Sequence, residues 1–210
     1  LKVKTAHKFF YIITMRKLEA QNKTFLINDP IWDFLVGLES DMDIKEIKSD
    51  FIICGVPDHH KHKAILLDLI DKIPNNPYDE ISKTDWNLPK TFERKYLEYF
   101  YSHITKNIMD QQKKYFKAAR WVIAQGWFQQ YQKGSSHVYH NHPNVNLTNV
   151  YFVELPDKQF KTSIKIGGKK YDYKCKEGQI ITFPAYLLHC SKTNGNLRKT
   201  IISFNSNFCY

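Results

Sequence analysis

From Ala119 onward, apolar and polar residues follow one another in short runs with the period of two expected of strands, whose successive side chains point to opposite faces. The runs fall at 120–132, 137–142, 147–155, 161–166, 170–175, 179–184 and 198–206, and Gly, Asn and Pro separate them. Upstream the rhythm differs. Leu97, Phe100, Tyr101, Ile104 and Ile108 recur at helical spacing and predict a helix over about Thr91–Phe116, with a shorter one over Ala64–Lys72 ended by Pro74-Asn-Asn-Pro77. Phe9–Leu18 and Asp50–Cys54 are strand-like. Asp58 is placed to cap the shorter helix, and His59, His60 and His62 beside it read as a polar entry loop rather than a metal tract. The pattern predicts one α+β domain over 1–210. A strand and helix support region occupies 1–118, and the β-rich part, 119–210, rolls into a sandwich or jelly-roll barrel.

Composition narrows the class. The 210 residues are 42% hydrophobic and 15% aromatic, which is globular and suits one full core. The net charge of +10 comes from lysines scattered from Lys2 to Lys199 without a dense run, so a solvated surface is preferred to a nucleic-acid groove. The basic excess tilts only weakly toward an anionic substrate. Cys54, Cys175, Cys190 and Cys209 show no paired spacing and read as reduced thiols. No apolar stretch nears the ~20 residues of a membrane span, and Phe9–Ile13 is shorter than a signal-peptide core. A cytoplasmic protein without a membrane partner is expected.

Candidate chemistry centres on two stretches, Gly134-Ser-Ser-His-Val-Tyr-His-Asn-His142 and Gly178-Gln-Ile-Ile-Thr-Phe-Pro-Ala-Tyr-Leu-Leu-His189. On a strand His140 and His142 project side by side while Asn141 points away, a ready clamp for a divalent metal. His189 is the candidate third ligand. His137 is out of phase with this pair. Further on, Arg198 and Thr200 share a strand face, where a guanidinium fork and a hydroxyl can hold a carboxylate together.

The ordered set Tyr131-x-x-Gly134, His140-x-His142-Pro143, Val150-Tyr-Phe-Val, Phe183-Pro184, His189, Arg198 and Ser203-Phe-Asn205 resembles the iron(II)- and 2-oxoglutarate-dependent oxygenases, in particular their phage and bacterial branch. The resemblance covers about residues 125–207 and implies a double-stranded β-helix. It also implies Fe(II) on His140 and His189, and 2-oxoglutarate bound by Arg198 with help from Thr200 or Tyr131. The expected reaction is hydroxylation or demethylation of an unidentified small-molecule or macromolecular substrate, with release of succinate and CO2. Asn149 and Tyr151 would line the substrate pocket. One position departs from the pattern: the carboxylate of the usual two-His-one-acid triad is replaced by His142. Either His142 ligates as a third imidazole, or it faces the pocket without ligating.

The same stretches resemble cupin motifs, which share the jelly roll and often use three histidines. A cupin-type protein, either a three-His dioxygenase that uses no 2-oxoglutarate or a non-catalytic binding module, is therefore the alternative.

Overall fold

The computed structural model describes residues 52–209 apart from 77, 78, 80, 158–160, 167 and 174; the expected strand over Phe9–Leu18 lies outside these. The chain order is β1 (Ile52–Gly55), α1 (His59–Asp71), β2 (Lys83–Thr84), α2 (Lys95–His103), α3 (Thr105–Phe116), β3 (Arg120–Tyr131), β4 (His137–His140), β5 (Leu147–Glu154), β6 (Thr162–Ile166), β7 (Lys169–Asp172), β8 (Gln179–Pro184), β9 (Leu188–Ser191) and β10 (Lys199–Cys209). All strand pairings are antiparallel. Six strands form one sheet in the order β1-β8-β5-β10-β3-β2, and four form a second, β4-β9-β6-β7. The α+β jelly roll read from the sequence is the observed architecture.

The large sheet is covered on both sides, so β5 and β10 are buried at nearly every position rather than alternating buried with exposed, and polar residues such as Thr148, Asn149, Ser203 and Asn205 are enclosed along with the apolar ones. Tyr151, Val153, Ile180, Ile202 and Phe204 face the helices, where they meet Leu66, Ile70, Tyr96, Leu97 and Phe100. The intervening residues Val150, Phe152, Ile181, Phe183 and Ile201 face the second sheet and pack on Ile164, Ile166 and Leu187. Each such fully buried side chain contributes roughly 1.5–3 kcal/mol of transfer free energy. One strand thus serves two cores.

The expected helix over 91–116 begins at Lys95 and divides at Ile104. Residues 88–94 are held in a loop instead, because Arg94 donates to the carbonyls of Asp85, Leu88, Pro89 and Phe92 and pairs with the buried Asp85 carboxylate. At the division Thr105 Oγ1 donates to the carbonyl of Tyr101 at 2.8 Å, a back-bond of the kind that bends helices.

Helix α1 begins earlier than expected and absorbs the histidine-rich segment. Asp58 occupies its N-cap in the left-handed region, φ 50°, but its side chain makes no capping bond; only its carbonyl accepts, from Lys61 and His62. His59 and His62 lie on the helix face turned toward the fold, at 2.7 Å and 2.8 Å from the hydroxyls of Tyr151 and Tyr99. The helix is fastened at both ends. At the start His59 and Lys63 meet Glu177; at the finish Asp71 accepts from Arg198 and Gln130. Gly178, next to Glu177, has φ +81° and no room for a side chain, since a Cβ there would lie 2.8 Å from the His59 ring.

Candidate metal centre

His140 and His189 are direct partners across β4 and β9, which places two imidazoles side by side on the face turned toward the large sheet. After His140 the chain leaves the strand, and the amide of His142 donates to Ala185 O at 2.9 Å. That bond brings the third imidazole back over the pair. One nitrogen of each of the three rings lies within 4.8 Å of those of the others, and Nε2 of His142 is 3.2 Å from Nε2 of His189. Among the described residues this group contains three imidazoles and no carboxylate.

Two of the rings are oriented by their own strands. Nδ1 of His140 lies 2.9 Å from Val138 O, and Nδ1 of His189 lies 3.0 Å from Leu187 O. A carbonyl can only accept, so both Nδ1 atoms carry the proton and both Nε2 atoms present lone pairs. Nδ1 of His142 faces the Asn205 side-chain amide at 3.4 Å. Desolvation, then the neighbouring imidazoles, hold the His142 pKa down to about 4. Desolvation chiefly, with those neighbours, holds His189 down to about 3, while burial lowers His140. Near neutral pH all three rings are uncharged, which is the ligating form.

A fourth imidazole stands behind. His137 stacks on His140 with ring centroids 4.0 Å apart, although strand phase placed it elsewhere. The phase is broken by an irregularity between His137 and His140 in the pairing with β9, which nothing in the sequence signals. Phe183 closes one side of the site, 4.9 Å from the His189 ring, and Trp127 another, 5.5 Å from His142.

The basic residue facing this interior is Lys199, not Arg198. Lys199 is 1% exposed; its Nζ makes a short hydrogen bond to Ser191 Oγ and lies 4.1 Å above the Tyr131 ring. Burial draws its pKa down to about 7. Tyr131 is as fully buried, with its hydroxyl donating to Gln129 at 2.8 Å and its pKa raised by desolvation. Arg198 and Thr200 do share a face and do hold a carboxylate together, but it is the chain's own Glu154. Arg198 Nε and Thr200 Oγ1 donate to Glu154 Oε2 at 2.8 and 2.5 Å, and Arg198 also grips both oxygens of Asp71. Their face is the helix side of the sheet. Strand alternation carries the sequence reading one residue off: Lys199 is in phase with Ile201 of the inter-sheet core, whereas Thr200 precedes Ile202 and Phe204 of the other.

Asn149 and Tyr151 also face the helices rather than the barrel. Asn149 bonds to Gln112, Thr182, Ser206 and the carbonyl of Phe204, and Tyr151 stacks on Phe100. They build the rear wall and line no pocket at the metal centre.

No family model matches the chain, and no curated protein matches it. Solved structures do. A 2OG-Fe(II) oxygenase family oxidoreductase from Burkholderia pseudomallei superposes with a TM-score of 0.60 at 11% identity, over 82% of this chain and 89% of that one. Viral collagen prolyl hydroxylase from Paramecium Bursaria Chlorella virus-1, in complex with 2OG, gives 0.53 at 13%, over 77% and 96%. HygX from Streptomyces hygroscopicus, with nickel and 2-oxoglutarate bound, gives 0.57 at 7%, over 79% and 87%. At these identities the likeness establishes the fold, which is that of the 2-oxoglutarate oxygenases. No helix among the described residues is long and apolar enough to cross a membrane.

Proposed function

We propose that the protein is an Fe(II)- and 2-oxoglutarate-dependent oxygenase that hydroxylates or demethylates its substrate with release of succinate and CO2. The observation that carries this reading is the convergence of one nitrogen from each of three imidazoles, with a buried amine on the same inter-sheet face. His140, His142 and His189 hold the ion. Three ligands from one side leave positions open for co-substrate and dioxygen. When bound, iron and 2-oxoglutarate together supply an oxidant strong enough to remove hydrogen from carbon.

The chain's own residues do the rest. Lys199, with Ser191 and the Tyr131 hydroxyl beside it, receives the distal carboxylate of 2-oxoglutarate, the role that the family resemblance assigned to Arg198 with help from Thr200 or Tyr131. A buried amine whose pKa lies near 7 takes up a proton readily when an anion arrives, so binding and protonation are coupled. Phe183 and Trp127 wall the site and keep water from it. Neutral His142 in place of an acid leaves the ion one negative charge short, which favours anionic co-ligands while weakening retention of the metal itself.

That same substitution favours a second reading, a three-His dioxygenase that does not use 2-oxoglutarate. Anaerobic titration separates the two. Adding 2-oxoglutarate to the Fe(II)-loaded protein produces a weak visible charge-transfer band if the co-substrate chelates the metal. Stoichiometric iron without that band would leave the three-His dioxygenase, and failure to bind iron would leave a binding module.

A further inference from the structure

Trp127 is an aromatic side chain with an easily oxidised ring that stands directly against the candidate metal centre, and it does not stand alone. Its ring centroid is 5.5 Å from that of His142 and 4.8 Å from that of Trp86, with the two indoles edge to face at 76°. Trp127 is buried, only 6% exposed, while Trp86 is half exposed. The two indoles make a continuous path from a candidate ligand to solvent. Trp86 also opens on a cavity of about 460 Å³ lined by Lys90, Gln125 and Trp127. The cation paired within that wall, Arg94, is taken up by Asp85, which leaves Lys90 as the basic group available to an anionic visitor. Hydrophobic packing accounts for Trp127. It does not account for a large indole kept half in water beside it.

We propose that Trp127 and Trp86 form an electron relay that discharges the metal centre when its oxidant forms without a substrate to attack. The proposal rests on the oxygenase reading above. An iron centre that has consumed 2-oxoglutarate and dioxygen unproductively is two electrons and two protons short of ferrous ion and water. Each electron leaves the Trp127 indole, is replaced from Trp86, and is replaced there by a small anionic one-electron reductant drawn to the cavity beside Lys90; the protons come from water. Two such passages restore Fe(II) and release the oxygen atom as water. Without a reductant both electrons are drawn from Trp86, the solvent-facing ring; water adds to the oxidised indole with loss of two protons, so Trp86 and not a ligand histidine gains one oxygen atom for each discharge.

The test is a peptide mass map of the full chain loaded with Fe(II) and treated with hydrogen peroxide, which delivers an oxidant at the bound ion without 2-oxoglutarate. Trp86 is expected to gain one or two oxygen atoms, ferrocyanide to suppress that gain, and Trp127→Phe to reduce it several-fold, with a freeze-quenched indole radical in the wild type lost in the same variant. The relay is overturned if Trp86 is oxygenated equally in the iron-free protein, if Trp127→Phe leaves its oxygenation unchanged, or if ligand histidines take the oxygen in the wild type. Trp86→Phe, a surface change, gives a second check: the initial metal affinity holds, while oxidation moves inward to Trp127. Run with dioxygen and 2-oxoglutarate, the map separates the two claims. Succinate without oxygenated Trp86 removes the relay and keeps the oxygenase, whereas peroxide-driven oxygenation of Trp86 through Trp127 without any succinate does the reverse.

Discussion

The two faces of β10 hold nearly the same chemistry and put it to opposite uses. On the helix side Arg198 and Thr200 close around Glu154 and Asp71, so cation and anion are both supplied by the chain. On the inter-sheet side Lys199 meets a hydroxyl and an aromatic face, and burial lowers its pKa to about 7. A cation matched by carboxylates is a fastening. A desolvated amine beside a hydroxyl and an aromatic ring is the contrasting case, and it is the group proposed to receive the co-substrate carboxylate.

Four experiments break or sharpen that contrast. His189→Ala should have the largest effect, lowering Fe(II) affinity by more than about a hundredfold, since even partners of metal ligands are worth 10–100-fold. Its melting temperature should change little, and equilibrium dialysis against iron checks it. Lys199→Met comes next: loss of a charge-assisted contact worth roughly 1.5–3 kcal/mol should weaken 2-oxoglutarate binding by about 10–150-fold. Calorimetry on the metal-loaded variant reads this, and an unchanged affinity would return the co-substrate to some other group.

The third concerns pH. Lys199 is protonated below about 7 in the free protein and must be charged to hold a carboxylate. Affinity for 2-oxoglutarate should therefore be sustained at lower pH until the histidines compete for protons, and fall by about tenfold per unit as pH rises above 7. A flat profile between 7 and 9 contradicts the assignment. The smallest effect is expected from Arg198→Met. Its ion pairs are partly exposed, so the cost is about 1 kcal/mol, or about 2–4 °C in melting temperature, with 2-oxoglutarate affinity nearly unchanged. Strong loss of co-substrate binding in this variant would restore the reading made from sequence.

What was legible in the sequence, and what was not, divides along the same strand. The β-rich half and the His140–His142–His189 group could be read because alternation and turn residues are local signals, and the structure gathers those three rings. The direction in which β10 faces could not. Arg198 and Lys199 are neighbours and both cations, and a strand buried on both faces offers no polar side to set the phase. The same ambiguity sent Asn149 and Tyr151 to the wrong side of β5. His137 was misplaced for a different reason, an irregularity in strand pairing that is decided by contacts far away in sequence.

Helix α1 acts as a brace across the back of the large sheet. Glu177 anchors one end beside the turn into β8, which leads toward the loop before His189, and Asp71 ties the other to the start of β10. The entry to β8, whose following loop leads to His189 on β9, and the start of β10, which carries the buried Lys199, are thereby tied to a single rod on the far side. Loosening either tie should let the clamp and the amine drift relative to one another, so that spacing inside the barrel is governed from outside it.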